Sequence, residues 1–485
     1  MAVQMYKDCM EPHIKNDSVH TREEVTQVEK HLNGASTQIL RAFKFGESWG
    51  QEDRFKSACQ ADNNEIASLN QLVKTHKTNL CTRPVCRAPV KQATTGGLTE
   101  IACDIISPFA EEADKIRRTE ITSTEDLCSE MKMANERIMK DGLRRGPFQR
   151  DGNLVIGSKD VNAMYPEMDI DVVAEETRLE IQESDLEIEV NTGEMALFLA
   201  CSMTQEEIDG EGLTDLVHSR RHKRGPRPGL TCKAITGDSV TRAKDQSWLP
   251  AKREPGDKKE KMKMVGCLVK NVILLVMKNN FYTFDNIIRK QIKGGAIGNK
   301  LTERLGKIFM KRFDTKYLKL CVDLGIKHEL YGRYVDDKTE GLVATDPGVR
   351  FDGEKLVKHE EWEDEDMGIC EDVRTFRILK EIGDTIFKCV KFTFDCPSLQ
   401  PSKGQNEEMV PVLDLKCYVV GEQFVHEYYE KKTACRYTIP YSSAHSDKMK
   451  MAVLVEDGLR RLRNYSQGLE WEKKRLVNGF LRYEA

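Results

Sequence analysis

The stretch LYGRYVDDKTEGLVAT, Leu330–Thr345, decides how the chain is read. Two short runs with apolar and aromatic residues flank an adjacent pair of carboxylates, Asp336 and Asp337. The pattern predicts a β-hairpin with the aspartates at its tip. Like charges that close repel, which costs stability unless a cation offsets it. Divalent magnesium, which prefers hard oxygen ligands, is such a cation. The plainer reading is a solvated acidic turn. On the tetrapeptide alone that reading is the better one.

A second aspartate, Asp160 in GSKDVNAMYPEM, follows the apolar centre Leu154–Ile156 of an expected buried strand that runs on to the turn former Pro166. Two-metal phosphoryl transfer needs carboxylates from separate strands to converge on ions about 3.5–4 Å apart. One strand-end aspartate and one hairpin-tip aspartate on adjacent antiparallel strands can do this. Tyr165 lies five residues beyond Asp160, where a rigid ring could sit under a nucleotide sugar.

The rest of the chain sets bounds. Its 485 residues are enough for more than one domain, and 39% hydrophobic with 32% charged residues suits a soluble globular protein. A net charge of −4 announces no polyanion, so any nucleic-acid site must be a local basic groove. Fifteen scattered cysteines include no C-x-x-C pair, and Cys81 and Cys86, the closest two, have no matching partners. Free thiols in a reducing, intracellular compartment are expected, mostly packed as small hydrophobes. The N-terminus has no apolar signal core. The longest apolar run, Val265–Met277, is too short to span a membrane and carries Lys270, so it is expected to be buried in the protein.

Locally, Asp169 or Asp171 is expected to cap a helix with Ile170, Val173, Ala174 and Ile181 on one face. Residues 205–263 read as loop-rich and charged, HEEWEDEDMGICED as an acidic surface segment with Trp362 packing, and VKFTFDCPS and VPVLDLKCYVV as strands. From Ser446 the tail reads as a helix with Met451, Leu454, Val455, Leu459 and Leu462 on one face and Lys448, Lys450, Arg460, Arg461 and Arg463 around it. RRHKRGPRP, Arg220–Pro228, could bind template backbone or act as a nuclear import signal, which tilts the expected location to the nucleus; a solvated loop is as good a reading.

DVNAMYP followed by YVDD resembles the reverse transcriptases of the Penelope-like retroelement group. In that group a glycine-rich turn, Q-x-x-G-T-A-M-G-S-P, precedes the Y-x-D-D hairpin; here the turn is Gln291-Ile-Lys-Gly294-Gly-Ala296-Ile-Gly298. Upstream, Lys74, His76, Lys77, Arg83 and Pro84 match the group's K-x-H-K and R-P-I segment. Downstream, VKFTFD, VPVLDLKCYV and IPYSSAHSDKMK resemble its later palm strands and the opening of its thumb. The motifs keep the group's order across roughly Leu72 to Asn464. Asn299-Lys300 replaces the group's Ser-Pro and Gly295 its Thr, which touches templating contacts and leaves the metal site intact. The spacing from Asp160 to Gln291 exceeds the group's and implies an insertion around 205–263. No GIY…YIG endonuclease signature is found.

The resemblance implies an α+β fold: a right-hand polymerase with an antiparallel-sheet palm, mixed fingers and a helical thumb. Its segments would be 1–70, polar and partly helical; 71–150, fingers; 151–169, palm; 170–290, fingers and insertion; 291–420, palm; and 421–485, a thumb expected to be truncated. It implies RNA-directed DNA polymerase activity with two Mg²⁺, or Mn²⁺ in their place. Asp160 and Asp336 would hold the ions, Asp337 would assist, and a main-chain carbonyl at Val161 would complete the shell. Lys77 and Arg83 would grip the triphosphate, with surface charge the near-even alternative. Tyr165, Gln291, Gly294 and Gly298 would meet the nucleotide, and Lys448, Lys450, Arg460 and Arg463 the duplex. The partners would be an RNA or DNA template with primer and deoxynucleoside triphosphates, with no membrane; oligomeric state is open. Family B DNA polymerases share an Asp-x-x-x-Leu-Tyr-Pro string but carry Tyr-x-Asp-Thr-Asp. An RNA-copying RNA polymerase would not favour a bulky ring at Tyr165. A domesticated or decayed retroelement protein that binds nucleic acid without polymerising is the alternative from another class.

Overall fold

The computed structural model describes residues 10–11, 14–43, 66–73, 82–87, 96–116, 119–220, 248–366, 368–399, 409–429 and 443–464. It is a mixed α/β fold with several sheets and helices. The chain divides into two compact units, Met1–Ile116 with Ala163–Arg312, and Arg117–Asn162 with Phe313–Ala485.

In the first unit a five-stranded sheet runs in the order Ser18–His20, Ile287–Lys290, Phe281–Phe284, Ala67–Val73, Thr82–Arg87. The pairing of Ala67–Val73 with Phe281–Phe284 is parallel and the others are antiparallel. The apolar run lies in the helix Lys258–Met277, which packs on Ile170–Glu183, Thr192–Ser202 and Gly96–Ile116. Its first turns correct the loop expected over 205–263. Asp257 caps it, its Oδ1 accepting from the Glu260 N–H at 2.8 Å, and Arg253 pairs with both Glu260 oxygens at 2.6 Å. Charge in that segment decorates a capped helix rather than a loop. A second short helix, Gln205–Gly210, carries a capping box between Thr204 and Glu207. Asp169 caps Ile170–Glu183 as expected, and Ile170, Val173, Ala174 and Ile181 are buried.

The second unit is built on a four-stranded antiparallel sheet, in the order Phe392–Asp395, Leu154–Val161, Asp337–Val343, His328–Tyr334. The helix Glu371–Ile386 covers one face; a Cβ on Gly157 would lie 2.6 Å from the Phe376 ring. A three-stranded sheet, Val410–Val412, Leu415–Val420 and Gln423–Tyr428, and the helix Thr124–Asp141 share a core with Ile156 and Leu330. The first-aspartate strand ends at Val161, short of Pro166. Ala163 then takes a left-handed φ of 48° and the chain enters a helical turn, Met164–Glu167, that contains Pro166.

Among the described residues no helix is long and apolar enough to cross a membrane. Cys103, Cys267, Cys321, Cys396 and Cys417 are free and buried, and Cys201 is buried. Trp362 is half-buried and packs edge-on against His359 at 4.3 Å.

Candidate active site

Cross-strand register places Asp160 and Asp337 at the same end of neighbouring strands in the second unit. His328–Tyr334 and Asp337–Val343 are joined through Val335 and Asp336, with Tyr334 paired to Asp337. Of these two central residues only Val335 has positive φ, 58°, the sign pattern of a type II′ turn. Asp337–Val343 also pairs with Leu154–Val161, Lys338 opposite Lys159 and Thr339 opposite Ser158. That register carried one position further sets Asp337 across from Asp160. Side chains alternate along a strand, so Asp160 and Asp337 share one face and Lys159 and Lys338 the other. Asp160 and Asp337 are exposed, Asp336 is half-buried, and both lysines are fully buried. Among the described residues no group of three or more His, Cys, Asp or Glu side chains lies close enough to hold a metal ion.

Beneath the aspartates the sheet rests on buried charge. Lys159 Nζ stands 2.7 Å from Glu340 Oε1, an ion pair rather than an aligned hydrogen bond, and donates to Tyr317 Oη at 2.7 Å. Tyr317 donates to Glu340 Oε2 at 2.9 Å, and His328 Nε2 lies 3.1 Å from the same oxygen. Lys338 Nζ lies 3.2 Å from Asp314 Oδ1 and 3.5 Å from the centre of the Phe313 ring. Arg333 Nε donates to Asp314 Oδ2 at 2.7 Å, and Tyr331 donates to Asp314 Oδ1 at 2.7 Å. Burial pushes the Asp314 carboxyl up, but Lys338 and Arg333 outweigh it and hold it below the usual carboxylate range. Burial likewise opposes ionisation of Glu340, and Lys159 with His328 brings it down to about 2. Burial takes Lys338 down to about 7 against the pull of Asp314.

In the first unit the glycine turn closes on the backbone of Tyr165 and Pro166. The Gly295 N–H donates to the Tyr165 carbonyl at 2.8 Å. Gly294 has φ +75°, and a Cβ there would fall 2.2 Å from the Pro166 carbonyl oxygen. Gly294 thus serves close approach to the chain itself. Gln291 lies in the turn: its Oε1 accepts from Asn280 and its Nε2 donates to the Lys293 carbonyl, both at 2.8 Å. Gly298 is exposed with φ +99°.

Of the cations expected on the duplex, Lys448 is exposed. Lys450 is buried and pairs with Asp447 at 3.4 Å. Arg460 pairs with Asp414 at 3.3 Å and Asp457 at 2.9 Å and donates to Tyr428 Oη at 3.2 Å, which makes it a packing tie within the unit. Met451, Val455 and Leu459 of the same helix are exposed, so these three members of the expected apolar stripe face outward. Lys74, His76, Lys77 and Arg221–Pro228 lie outside the described residues, as do the side chains of Arg83 and Arg463.

Sequence reading missed Arg333 and Asp314, whose pairing needs the fold to be seen. It missed Asp17, which accepts from Tyr282 Oη at 2.5 Å and from the Ile292 N–H at 3.2 Å and so pins the glycine turn. It also missed Gly306, for which a signal existed: an isolated glycine inside a helical pattern.

No family model matches the chain, and no curated protein does. Among solved structures it is similar to telomerase from Candida albicans in complex with a TWJ fragment of telomeric RNA, at TM-score 0.46 and 9% identity over 95% of this chain and 53% of that one. It is similar to apo telomerase from Candida tropicalis, at 0.39 and 9% over 82% and 53%. It is similar to the BmCPV RNA-dependent RNA polymerase at elongation state, at 0.39 and 9% over 95% and 30%. The chain spans about half the length of the telomerases it matches. The likeness is a distant one.

Proposed function

We propose that the chain is an RNA-directed DNA polymerase, the reverse transcriptase of a Penelope-like retroelement, extending a primer on an RNA or DNA template by nucleotidyl transfer. The observation that carries the reading is the register that sets Asp337 across from Asp160 on an exposed sheet face, with Asp336 in the adjoining hairpin tip.

The donor set suits Mg²⁺, or Mn²⁺ in its place: carboxylate oxygens on neighbouring strands, open to solvent. Asp160 and Asp336 would hold two such ions, with Asp337 at the same site and the Val161 carbonyl completing the shell. Their mutual repulsion, once neutralised, would let the carboxylates close the remaining gap. The ions, when bound, would lower the pKa of the primer 3′-hydroxyl and stabilise charge on the leaving pyrophosphate. The protein's share is positioning: the hairpin fixes the carboxylates, and Lys77 and Arg83 would grip the triphosphate. The Tyr165 ring would exclude a ribose 2′-hydroxyl, the group that separates the two sugars. Lys448 would follow the duplex backbone.

The test is primer extension by the purified chain on matched RNA and DNA templates with Mg²⁺ or Mn²⁺. Extension with deoxynucleotides on RNA is the expected result. Tight template–primer binding with no extension under either metal would replace this reading by that of a retroelement product that only binds.

A further inference from the structure

The helix Lys300–Asp323 carries a glycine at 306, well inside its length. A mid-helix glycine costs about 1 kcal/mol relative to alanine, so its presence asks for a packing reason. A Cβ on Gly306 would lie 2.9 Å from Tyr165 Cε1, 3.6 Å from Tyr165 Oη and 2.7 Å from Met164 Cε. The edge of the Tyr165 ring therefore rests on bare helix backbone. The rest of the residue has little freedom. Its carbonyl accepts from the Gly295 N–H at 2.8 Å, and the neighbouring Pro166 carbonyl is packed against Gly294. The side chain is half-buried, with the helix behind it.

We infer that Gly306 is a positioning residue that sets how far the Tyr165 ring projects, and through it the choice between deoxyribose and ribose. The inference rests on the polymerase reading above. A ring carbon cannot stay 2.9 Å from a methyl, so a side chain at 306 must push the ring outward by about half an ångström to reach ordinary contact. Met164 can give way, because its thioether rotates freely. The Tyr165 backbone cannot, because the glycine turn holds it. The displaced ring narrows the space for the sugar, which penalises the larger ribose more than deoxyribose.

The test is single-nucleotide extension with deoxy- and ribonucleotides by four proteins: wild type, Gly306→Ala, Tyr165→Val and the double variant, with the melting temperature of each. Gly306→Ala is expected to raise the deoxy-to-ribo ratio of kcat/KM by about 10-fold, the low end of what one carbon is worth in a tight site. In the Tyr165→Val background the same substitution should leave the ratio unmoved and cost less stability. An unmoved ratio in Gly306→Ala, or an equal shift in both backgrounds, overturns the inference. If Gly306→Ala does not fold, Met164→Ala in the same chain removes the other contact and the ratio is read there. Wild-type protein that extends no primer removes the polymerase reading and this inference together, whereas extension with an unmoved ratio removes the inference alone.

Discussion

Arg333 donates from Nη1 to the carbonyl oxygen of Val335 at 2.7 Å, so a fully buried guanidinium holds a β-branched residue at φ +58° in the tip of the aspartate hairpin. Such a conformation costs on the order of 1–3 kcal/mol and persists only where the surroundings impose it. Arg333 is in turn fixed by Asp314 at 2.7 Å. Replacing arginine by lysine keeps the charge and loses the fork that reaches both partners. Arg333→Lys is expected to destabilise by about 2–4 kcal/mol. Val335→Gly removes the strain and should recover about 1 kcal/mol more in the Arg333→Lys background than in wild type. Urea denaturation of the four proteins reads this cycle; strict additivity would mean that the carbonyl contact does not hold the tip.

Asp160→Ala and Asp336→Ala are each expected to lower kcat for extension on the order of 10³-fold, the equivalent of several kcal/mol of lost transition-state stabilisation. Asp337→Ala should lose less. Template–primer affinity should stay near wild type in all three, because binding comes from backbone contacts elsewhere. Near-normal extension by Asp336→Ala protein would remove the assignment.

The helix Asp447–Arg463 separates two roles. Arg460 is engaged with Asp414, Asp457 and Tyr428, so Arg460→Ala should lower the melting temperature and leave the salt dependence of duplex binding alone. Lys448 is exposed. Lys448→Ala should reduce the slope of log K against log salt by about 0.9, one phosphate contact. The reverse pattern, a slope change at Arg460 and none at Lys448, would mean that the ion pairs open to receive nucleic acid.

Acid stability offers a check on the first unit. Burial raises the Glu175 carboxyl, but hydrogen bonds from Arg178 and Lys270 outweigh it and bring the group from its ordinary 4.5 to about 2. A depressed carboxylate contributes stability that is fully present above 4.5 and is lost as pH falls toward 2. The carboxylate is partly exposed, so solvent screening reduces the contribution to about 1 kcal/mol. Glu175→Gln should flatten the fall in unfolding free energy between those limits, measured by denaturant titration at several pH values. An unchanged acid limb would assign the loss to other carboxylates.

Much of the aspartate strand and hairpin was legible because alternation and a charged tip are local signals. The helix Ile170–Glu183 was legible for the same reason, through Asp169 and its apolar spacing. The supporting charge was not. Lys338 and Glu340 carry charge, yet both are buried, because Asp314 and Tyr317 reach them from the helix Lys300–Asp323. The start of Lys258–Met277 was hidden by its lysines, since the signal that mattered was a single capping aspartate. Tyr165 was picked out from a motif, but what its ring rests on depends on a glycine 141 positions later, which no local pattern connects to it.

The paired lysines also constrain how this sequence can drift. Lys159, Lys338 and Arg333 are balanced by Asp314, Glu340 and Glu120. Losing either buried carboxylate alone strands a cation in the interior, at a cost of about 3–5 kcal/mol, comparable to a large part of a domain's stability. Changes there must arrive in compensating sets, Lys159 with Glu340, or Lys338 and Arg333 with Asp314. Among descendants of this chain these positions should co-vary as blocks, while the exposed aspartates one residue away answer to chemistry alone.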